Sequence, residues 1–278
     1  VLIGVLFGIV LQLHYISMFL GVTLLTFLIT AEWMEKKKIR IVDFAKKGFH
    51  LFIGFLIGYS LFLAFELRHG FPNIRTIIQF ILTNSGGEKE AQSFVEIVPD
   101  VFFRLFARLV TKFPPPEQIA VSVDPYLRFW QIATVLLAIG SVFALFKIKD
   151  RLLRLLLLLW FFLGIFLFGF YKKPIYDYYF EFMFPLPFLM IGNLLSILFY
   201  EKHYKNVGKI LCVGILVFLT YINLLGIPFR SSPNKQKDQV KQIAEFVLSK
   251  TDNKPFNFGL ITLGNSDHGY RYFFEINN

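Results

Sequence analysis

Cysteine and charged residues are scarce in this chain of 278 residues, and each shortage excludes a class of protein. The one cysteine, Cys212, lies in a hydrophobic run, which excludes a disulfide framework and a cysteine-ligated metal site. Charged residues make up 17% of the chain against 55% hydrophobic residues, too few to cover a soluble domain of this length. Phosphate-binding glycine loops, HExxH motifs and nucleophile elbows are also missing, so no common soluble-enzyme signature is present.

The abundant hydrophobic residues, with 36 phenylalanines among them, occur in long runs. A membrane-crossing helix needs about 20 mostly apolar residues. Runs of this kind lie at about 1–30, 49–67, 129–147, 153–170, 181–200 and 208–227. Gln12–Tyr15 interrupts the first run, which predicts the tail of one helix, a tight polar turn and a second helix over about 15–30. A single tilted helix with a polar kink is the alternative. The sequence therefore predicts an all-α polytopic membrane protein with at least six membrane-crossing segments.

The placement of lysine and arginine predicts the orientation of these segments. Loops 31–48, 147–154 and 201–209 are rich in basic residues, and alternate crossings put all three on one side. The positive-inside rule makes that side the cytoplasm, which predicts a multi-pass protein of the plasma (inner) membrane. The other side then receives the turn at 12–15, the loop 68–128, the loop 171–180 and the tail from about 228.

The loop 68–128 within the predicted membrane core, 1–230, is too long for a simple connector. Asn73–Thr83 is apolar with helical potential, and Pro99–Lys112 is amphipathic. Three cations of the second segment share one helical stripe at i, i+4 and i+8, namely Arg104, Arg108 and Lys112. We expect two helices lying on or dipping into the outer membrane face. The stripe either grips a lipid phosphate or is a solvated face on anionic headgroups.

The tail 231–278 is predicted to be the start of a small extracytoplasmic α/β domain. Val240–Leu248 has helical spacing of apolar residues, and Asn257–Thr262 is typical of a buried strand. Asn265–Asp267 offers N-cap side chains for a following helix through Tyr270–Phe274.

Polar and aromatic residues are densest at the predicted outer mouth, over 171–180. Lys172 and Lys173 can pair with a phosphate or pyrophosphate. Tyr176 and Tyr179 can stack on a sugar ring, and Asp177 can accept a hydrogen bond from a hydroxyl or fix a tyrosine. The same composition is also typical of an interfacial aromatic belt with snorkelling lysines.

A second group of candidates lies in the first polar turn, at Gln12, His14 and Tyr15. Polar groups at a membrane boundary are costly unless they face a cavity or one another, which favours a site. His14 can donate to a phosphate or assist proton transfer. A hairpin turn that reaches interfacial water is the alternative. Four carboxylates are also expected on the outer side, and nothing marks any of them as a base: Glu66, Asp100, Asp124 and Asp267.

Three stretches of the chain carry a family likeness: Gly8-x3-Gln12-Leu13-His14-Tyr15, the segment Lys173–Phe180 leading into Phe184–Pro187, and the tail segment Phe256–Phe273. Together they resemble bacterial membrane glycosyltransferases of the GT-C type. The nearest branch is related to protein O-mannosyltransferases (dolichyl-phosphate-mannose-protein mannosyltransferase-like) and aminoarabinose transferases.

The resemblance implies transfer of a sugar from a polyprenyl-phosphate donor to a lipid, glycan or protein acceptor on the extracytoplasmic face, by inverting displacement. It places the catalytic carboxylate, often with a divalent metal nearby, in an external loop before Val1, and no residue here matches that aspartate. Both ends of the chain are interpreted as truncations, so the donor-binding half remains. Its candidate binding residues are Gln12, His14, Tyr15, Arg104, Arg108, Lys172, Lys173, Tyr176, Asp177 and Tyr179.

The competing interpretation is a transporter or lipid flippase without glycosyl transfer. It predicts charged residues near the middle of the membrane and discontinuous helices in paired halves. The predicted spans are nearly free of ionisable residues, and no discontinuous pair is evident in the sequence. The basic residues cluster at the ends of the spans, which accounts for the net charge of +10 without a nucleic-acid partner.

Overall fold

A computed structural model describes residues 1–37, 41–83, 93–114, 125–171, 174–201, 205–227, 229, 232–251, 254–261 and 267–277. Over these ranges the regular secondary structure is helical. The chain divides into two compact units, Val1–Leu225 and Gly226–Asn278.

The first unit contains ten α-helices and two short 3-10 helices among its described residues. The α-helices are α1 Leu2–Leu13, α2 Met18–Lys36, α3 Ile41–Gly58, α4 Ser60–His69, α5 Pro72–Thr83, α6 Phe94–Leu109, α7 Pro125–Leu145, α8 Arg151–Phe168, α9 Pro185–Tyr200 and α10 Lys205–Leu225. The 3-10 helices are Tyr15–Ser17 and Asp177–Met183.

Four helices are each long and apolar enough to cross a membrane: α2 with its preceding 3-10 turn, α7, α8 and α10. Two further pairs pass the same test together but are bent. Helices α3 and α4 meet at 63°, and the 3-10 helix Asp177–Met183 meets α9 at 60°. By length and composition, the described residues thus contain up to six candidate crossings if each bent pair counts as one. These elements overlap the predicted apolar runs and are compatible with a multi-pass membrane protein.

The predicted break in the first apolar run is present. Helix α1 ends at Leu13, and His14 has an extended backbone with φ −157° and ψ 131°. The His14 imidazole then accepts a hydrogen bond at Nδ1 from the Ile16 N–H, at 3.2 Å. This side-chain contact starts the 3-10 turn that leads into α2, so the interruption is a real end of one helix and the start of another.

Helix α1 crosses α3 through two pairs of glycines spaced four residues apart. Gly4 and Gly8 of α1 lie against the α3 backbone: a Cβ on Gly8 would be 2.7 Å from the Phe55 carbonyl oxygen. Gly58 of α3 is equally close to α1, because its Cβ would lie 2.8 Å from the Val5 carbonyl carbon. Small residues at this spacing let two membrane helices approach closely. Both pairs, Gly4 with Gly8 and Gly54 with Gly58, are present in the sequence, but the pattern within each helix does not show that the two pairs pack on each other.

Helix α6 lies in the core of the first unit, where Val101, Leu105 and Phe106 are fully buried. It packs against α7, α8, α9 and the 3-10 helix Asp177–Met183. A surface helix with its cations directed at lipid was expected here, and the structure instead directs this helix into the protein. The predicted amphipathic helix is present, but its apolar face packs against other helices of the protein.

The ends of α6 also differ from the predicted Pro99–Lys112. The helix begins at Phe94 because Ser93 and Glu96 form a capping box. At the other end, the N–H of Phe113 bonds back to the Ala107 carbonyl at 2.8 Å, and Lys112 takes a left-handed backbone with φ 51°. Lys112 therefore does not continue the cationic stripe, and only the two arginines remain on it.

The second unit has two described helices, α11 Gln236–Lys250 and α12 His268–Ile276, which pack on each other. The predicted strand Asn257–Thr262 is not supported, because its described residues have no regular secondary structure. The backbone of a strand needs a neighbouring strand for its hydrogen bonds. Here the apolar side chains pack on α12 instead, because the rings of Phe256 and Phe258 lie 5.3 and 4.9 Å from that of Phe274. The regular secondary structure described for the predicted α/β domain is therefore helical, and the α/β prediction is not supported.

Candidate functional site

The predicted mouth is tied to α6 by an ion pair between residues 73 positions apart. The Arg104 guanidinium donates from Nε and Nη2 to Asp177 Oδ1, at 2.8 and 2.6 Å. Its Nη1 donates to Asp100 at 3.0 Å, and Nη2 also donates to the Ile175 carbonyl at 2.8 Å. Two-pronged arginine–carboxylate contacts of this kind fix geometry as well as charge. Arg104 therefore holds the mouth segment against the core helix.

Arg108 places a second cation beside the same carboxylate. Its Nη1 donates to the Phe113 carbonyl at 2.5 Å, and its Nε lies 3.4 Å from Asp177 Oδ2. That Nε is buried and has no hydrogen-bond acceptor among the described residues. A buried N–H without an acceptor is unusual and costly in a folded protein. We call Arg104, Arg108 and Asp177 the arginine–aspartate network.

The exposures of these charges differ. The side chains of Arg104 and Arg108 are 17% and 16% exposed, whereas that of Asp177 is 46% exposed. Burial alone would lower the pKa of the Arg104 guanidinium, but its hydrogen bonds and charge interactions with Asp100 and Asp177 raise it above the usual value. Both cations are therefore held inside the protein, and the carboxylate that pairs them borders solvent.

Next to this network, four tyrosines and a histidine form an aromatic cluster: His14, Tyr171, Tyr176, Tyr178 and Tyr179. The His14 ring lies 4.6 Å from that of Tyr179, and the Tyr178 and Tyr179 rings are 4.8 Å apart. The Tyr171 ring lies 5.8 Å from that of Tyr179, edge to face. The rings of Tyr176 and Tyr178 stack at 5.6 Å and are half-exposed. The cluster thus offers aromatic faces and hydroxyls at the surface.

His14 joins the first polar turn to this cluster. Burial lowers the pKa of its imidazole, and the nearby Glu181 carboxylate opposes that shift only in part. The ring is therefore neutral at pH 7. Since Nδ1 accepts the Ile16 N–H, the proton of the neutral ring is carried by Nε2. His14 consequently presents one N–H donor to any ligand that reaches the cluster.

The other two residues of that turn have different partners. The amide N–H groups of Gln12 donate to the carbonyls of Gly58 and Gly8, at 2.6 and 3.2 Å, and so support the α1–α3 crossing. The Tyr15 hydroxyl donates to Asn73 Oδ1 at 3.2 Å. The structure therefore brings His14 to the aromatic cluster and directs Gln12 and Tyr15 into contacts between helices.

Two of the four candidate carboxylates have clear local roles. Glu66 is fully buried and accepts from the Asn73 side chain at 2.6 Å and from the Ile74 N–H at 3.1 Å, which caps α5 from α4. Asp267 accepts from Arg271 at 2.6 Å within α12. The third, Asp100, pairs with Arg104, as described above. Asp124, like the candidates Lys172 and Lys173, lies outside the described residues.

Replacing Glu66 with glutamine is expected to loosen the start of α5 by about 1–3 kcal/mol, because a buried carboxylate that accepts several N–H bonds is replaced by a neutral amide with one acceptor oxygen. Hydrogen exchange at the Asn73 and Ile74 amides measures this directly. The matched control is Glu35→Gln, which removes an exposed charge. Unchanged protection in Glu66→Gln would contradict the capping role.

An apolar groove of about 660 Å³ lies between α6, α7 and α8. Its lining includes Val98, Pro99 and Phe102 from α6, and the rest comes from Ile139, Val142, Phe143, Phe161, Phe162, Leu163, Ile165 and Phe166. The α6 residues of the groove are interleaved with Asp100 and Arg104 of the ion network. One short stretch of α6 therefore lines an apolar groove and also carries the charges that meet the mouth.

Among the described residues, no group of three or more histidine, cysteine, aspartate or glutamate side chains could hold a metal ion. The described residues thus do not fit the divalent metal that the GT-C resemblance implies. Comparisons with protein-family models, curated proteins and solved structures give no match to this chain.

Proposed function

We propose that this protein is a membrane glycosyltransferase that moves a sugar from a polyprenyl-phosphate donor to a lipid, glycan or protein acceptor. The observation that carries the proposal is the double character of α6. Its Val98 and Phe102 line the apolar groove, while its Arg104 and Arg108 lie at the mouth beside the aromatic cluster. An apolar groove on one face of α6, with two cations and several aromatic rings on another face, offers the chemistry for an amphiphilic ligand with a chain, a phosphate and a sugar.

Each part of such a donor has a partner of suitable chemistry. Tyr176 and Tyr178 offer exposed rings for the sugar face, and the Nε2–H of His14 can donate to a sugar or phosphate oxygen. Arg104 and Arg108 can stabilise the negative charge that grows on the phosphate as the glycosidic bond breaks. Lys172 and Lys173, predicted for the same purpose, neighbour the cluster in sequence. No described residue is assigned as the base that takes the acceptor proton.

The orientation proposed for the site follows from charge. The basic loops around Lys36 and Lys149 mark the cytoplasmic side of the inner membrane by the positive-inside rule. Alternate crossings then put 171–180 and the C-terminal unit on the extracytoplasmic side. A donor carried on a polyprenyl chain reaches that side without soluble nucleotide sugars.

A transporter or lipid flippase is the second candidate, and the two bent helix pairs favour it, since discontinuous helices are typical of transporters. Only one of the two bends lies where a transporter break is expected. The bend between α3 and α4, at Tyr59, falls near the middle of the predicted apolar run 49–67. The second bend comes just before the 16 residues of α9, toward one end of its pair. A matched pair of midplane breaks is therefore not present among the described residues.

A transfer assay separates the two candidates. The full-length protein is reconstituted in proteoliposomes, and radiolabelled sugar is followed from polyprenyl-phosphate donors to extractable acceptors, alongside movement of a labelled lipid between leaflets. We expect sugar transfer without accelerated lipid movement. Lipid movement with no transfer from any donor would replace the proposal with the flippase.

In the same assay His14→Asn is expected to slow transfer by about 10- to 100-fold, because the Nε2–H donor is lost from the aromatic cluster while the amide oxygen can still accept the Ile16 N–H. His50→Asn is a matched control on α3, where the exposed His50 ring contacts only the Lys46 carbonyl among its hydrogen-bond partners in the described chain. Equal rates for the two variants, with both proteins folded, would remove His14 from the donor site.

A further inference from the structure

Asp177 neutralises Arg104 and Arg108 but does not accept hydrogen bonds from all the N–H groups that they direct at it. Its Oδ1 takes both Nε and Nη2 of Arg104, but its Oδ2 stops 3.4 Å from Arg108 Nε. The buried Nε of Arg108 is left without an acceptor among the described residues. A carboxylate has two oxygens and cannot reach all these donors, whereas a phosphomonoester has three terminal oxygens arranged tetrahedrally.

The burial of the partners also shows which of them can leave. Both arginine side chains are more than four-fifths buried and would lose their charge pairing at high cost. Asp177 is nearly half-exposed and can turn into water without burying its charge. An incoming anion can therefore replace Asp177 while the arginines stay in place.

We propose that Asp177 is an internal stand-in for phosphate: it occupies the arginine pair in the resting protein, is displaced by the phosphate of the ligand, and competes with the product phosphate to return. This inference rests on the proposed function and adds to it a means of product release. The ligand that the arginine pair binds most tightly is then a lipid phosphomonoester, which is the dianionic product of transfer. The monoanionic donor binds the pair less tightly.

The charge balance of the transfer explains why such competition is useful. The donor is a phosphodiester with one negative charge. Transfer breaks the bond between the anomeric carbon and the phosphate oxygen, which keeps the electron pair, while the acceptor oxygen or nitrogen bonds to that carbon and loses its proton to a base. The product phosphomonoester carries close to two negative charges above its second pKa, about 6. Two buried arginines would hold this product tightly, and Asp177 opposes that.

The test compares two soluble probes that differ by one charge, farnesyl phosphate and its methyl ester, binding to the full-length protein in nanodiscs at pH 7.5. Asp177→Asn is expected to bind farnesyl phosphate about tenfold more tightly than wild type, since the competing charge-assisted bonds are removed. The methyl ester should gain less, about threefold or below, because it has one charge fewer.

Asp100→Asn is the matched control, because it removes the same charge from a carboxylate that also pairs with Arg104. Asp100 touches only Nη1 and leaves the Nε and Nη2 edge to Asp177. Its gain in affinity should be well below that of Asp177→Asn. Equal gains in the two variants would show a general charge effect and overturn the stand-in proposal.

The remaining outcomes separate this inference from the proposed function. If wild type and Asp177→Asn bind farnesyl phosphate equally while Arg104→Gln abolishes binding, the stand-in is overturned and the phosphate site stands. If no form of the protein binds either probe, the phosphate site and the proposed function fail together. Should Asp177→Asn not fold, carbodiimide labelling of Asp177 in wild type decides. Labelling should rise several-fold with farnesyl phosphate, and unchanged labelling in the presence of bound probe would overturn the proposal.

Discussion

Replacing Arg104 with glutamine is expected to lower kcat/KM for sugar transfer by about 100- to 1,000-fold, the usual effect of removing a charge-stabilising donor from a preorganised site. Arg104 is the better placed of the two cations, because its guanidinium meets Asp177 along one edge and Asp100 along the other. Without it the leaving phosphate would face two carboxylates and a single cation, Arg108. Initial rates over a range of donor concentrations measure the effect.

Arg104 also joins α6 to the mouth segment, so its replacement can lower activity by disturbing the fold, and control variants are needed to separate the two effects. Arg104→Lys keeps the positive charge but loses the paired N–H groups of the guanidinium. We expect its kcat/KM to lie between those of wild type and Arg104→Gln. Arg151→Gln removes an exposed arginine at the start of α8, at the predicted cytoplasmic end, and should transfer at the wild-type rate. Thermal unfolding identifies variants that fail to fold. Wild-type kinetics in a folded Arg104→Gln protein would exclude the arginine–aspartate network from the donor site.

Replacing Gly54 with alanine is expected to destabilise the membrane unit by about 1–3 kcal/mol, the typical cost of overpacking a closely packed interior. A Cβ at Gly54 would lie within 2.9 Å of the Val1 carbonyl carbon and 3.0 Å from the Val5 nitrogen. These are backbone atoms of α1 and of its N-cap residue, Val1, and they cannot turn aside as a side chain can. The helices would have to separate, which should lower the unfolding midpoint in detergent.

The same helix supplies the control for this substitution. Gly48 of α3 has nothing within 4 Å of the position that a Cβ would take. Gly48→Ala makes an identical chemical change and should be neutral or stabilising by up to about 1 kcal/mol, because alanine favours a helix over glycine. Equal midpoints for Gly48→Ala and Gly54→Ala would contradict the close crossing of α1 and α3.

The contrast between Gly48 and Gly54 shows where prediction from sequence stops. Both glycines lie in one apolar run, and hydrophobicity alone treats them alike. The run itself could be predicted because the bilayer selects for length and apolarity, which are local properties. The contact that distinguishes the two glycines comes from α1, about fifty residues away, and no property of the run encodes it.

The candidate site divides in the same way. The residues of 171–180 stood out because tyrosine, lysine and aspartate are dense there, and Arg104 and Arg108 because they share a helical stripe. The pairing of Asp177 with Arg104 depends on how α6 packs. The arginine side chains were instead expected to point toward lipid phosphates. The role of Glu66 was missed for a similar reason: the N–H groups of α5 that donate to its carboxylate follow a sharp turn at Gly70.

By itself, the sequence determined that the chain is a helical protein with several membrane-length apolar segments, that a polar stretch, Gln12–Tyr15, interrupts the first run, and that basic residues gather at the ends of the spans. These features follow from composition over short windows, since helix length and hydrophobicity need no distant partner. Only the tertiary structure decided that α6 lies in the core and that the segment after Asn257 packs on a helix, where a strand was predicted. It also decided that the mouth is held by the ion pair of Arg104 and Asp177. Packing and ion pairing join residues far apart in the chain, so their geometry appears only once the helices have assembled.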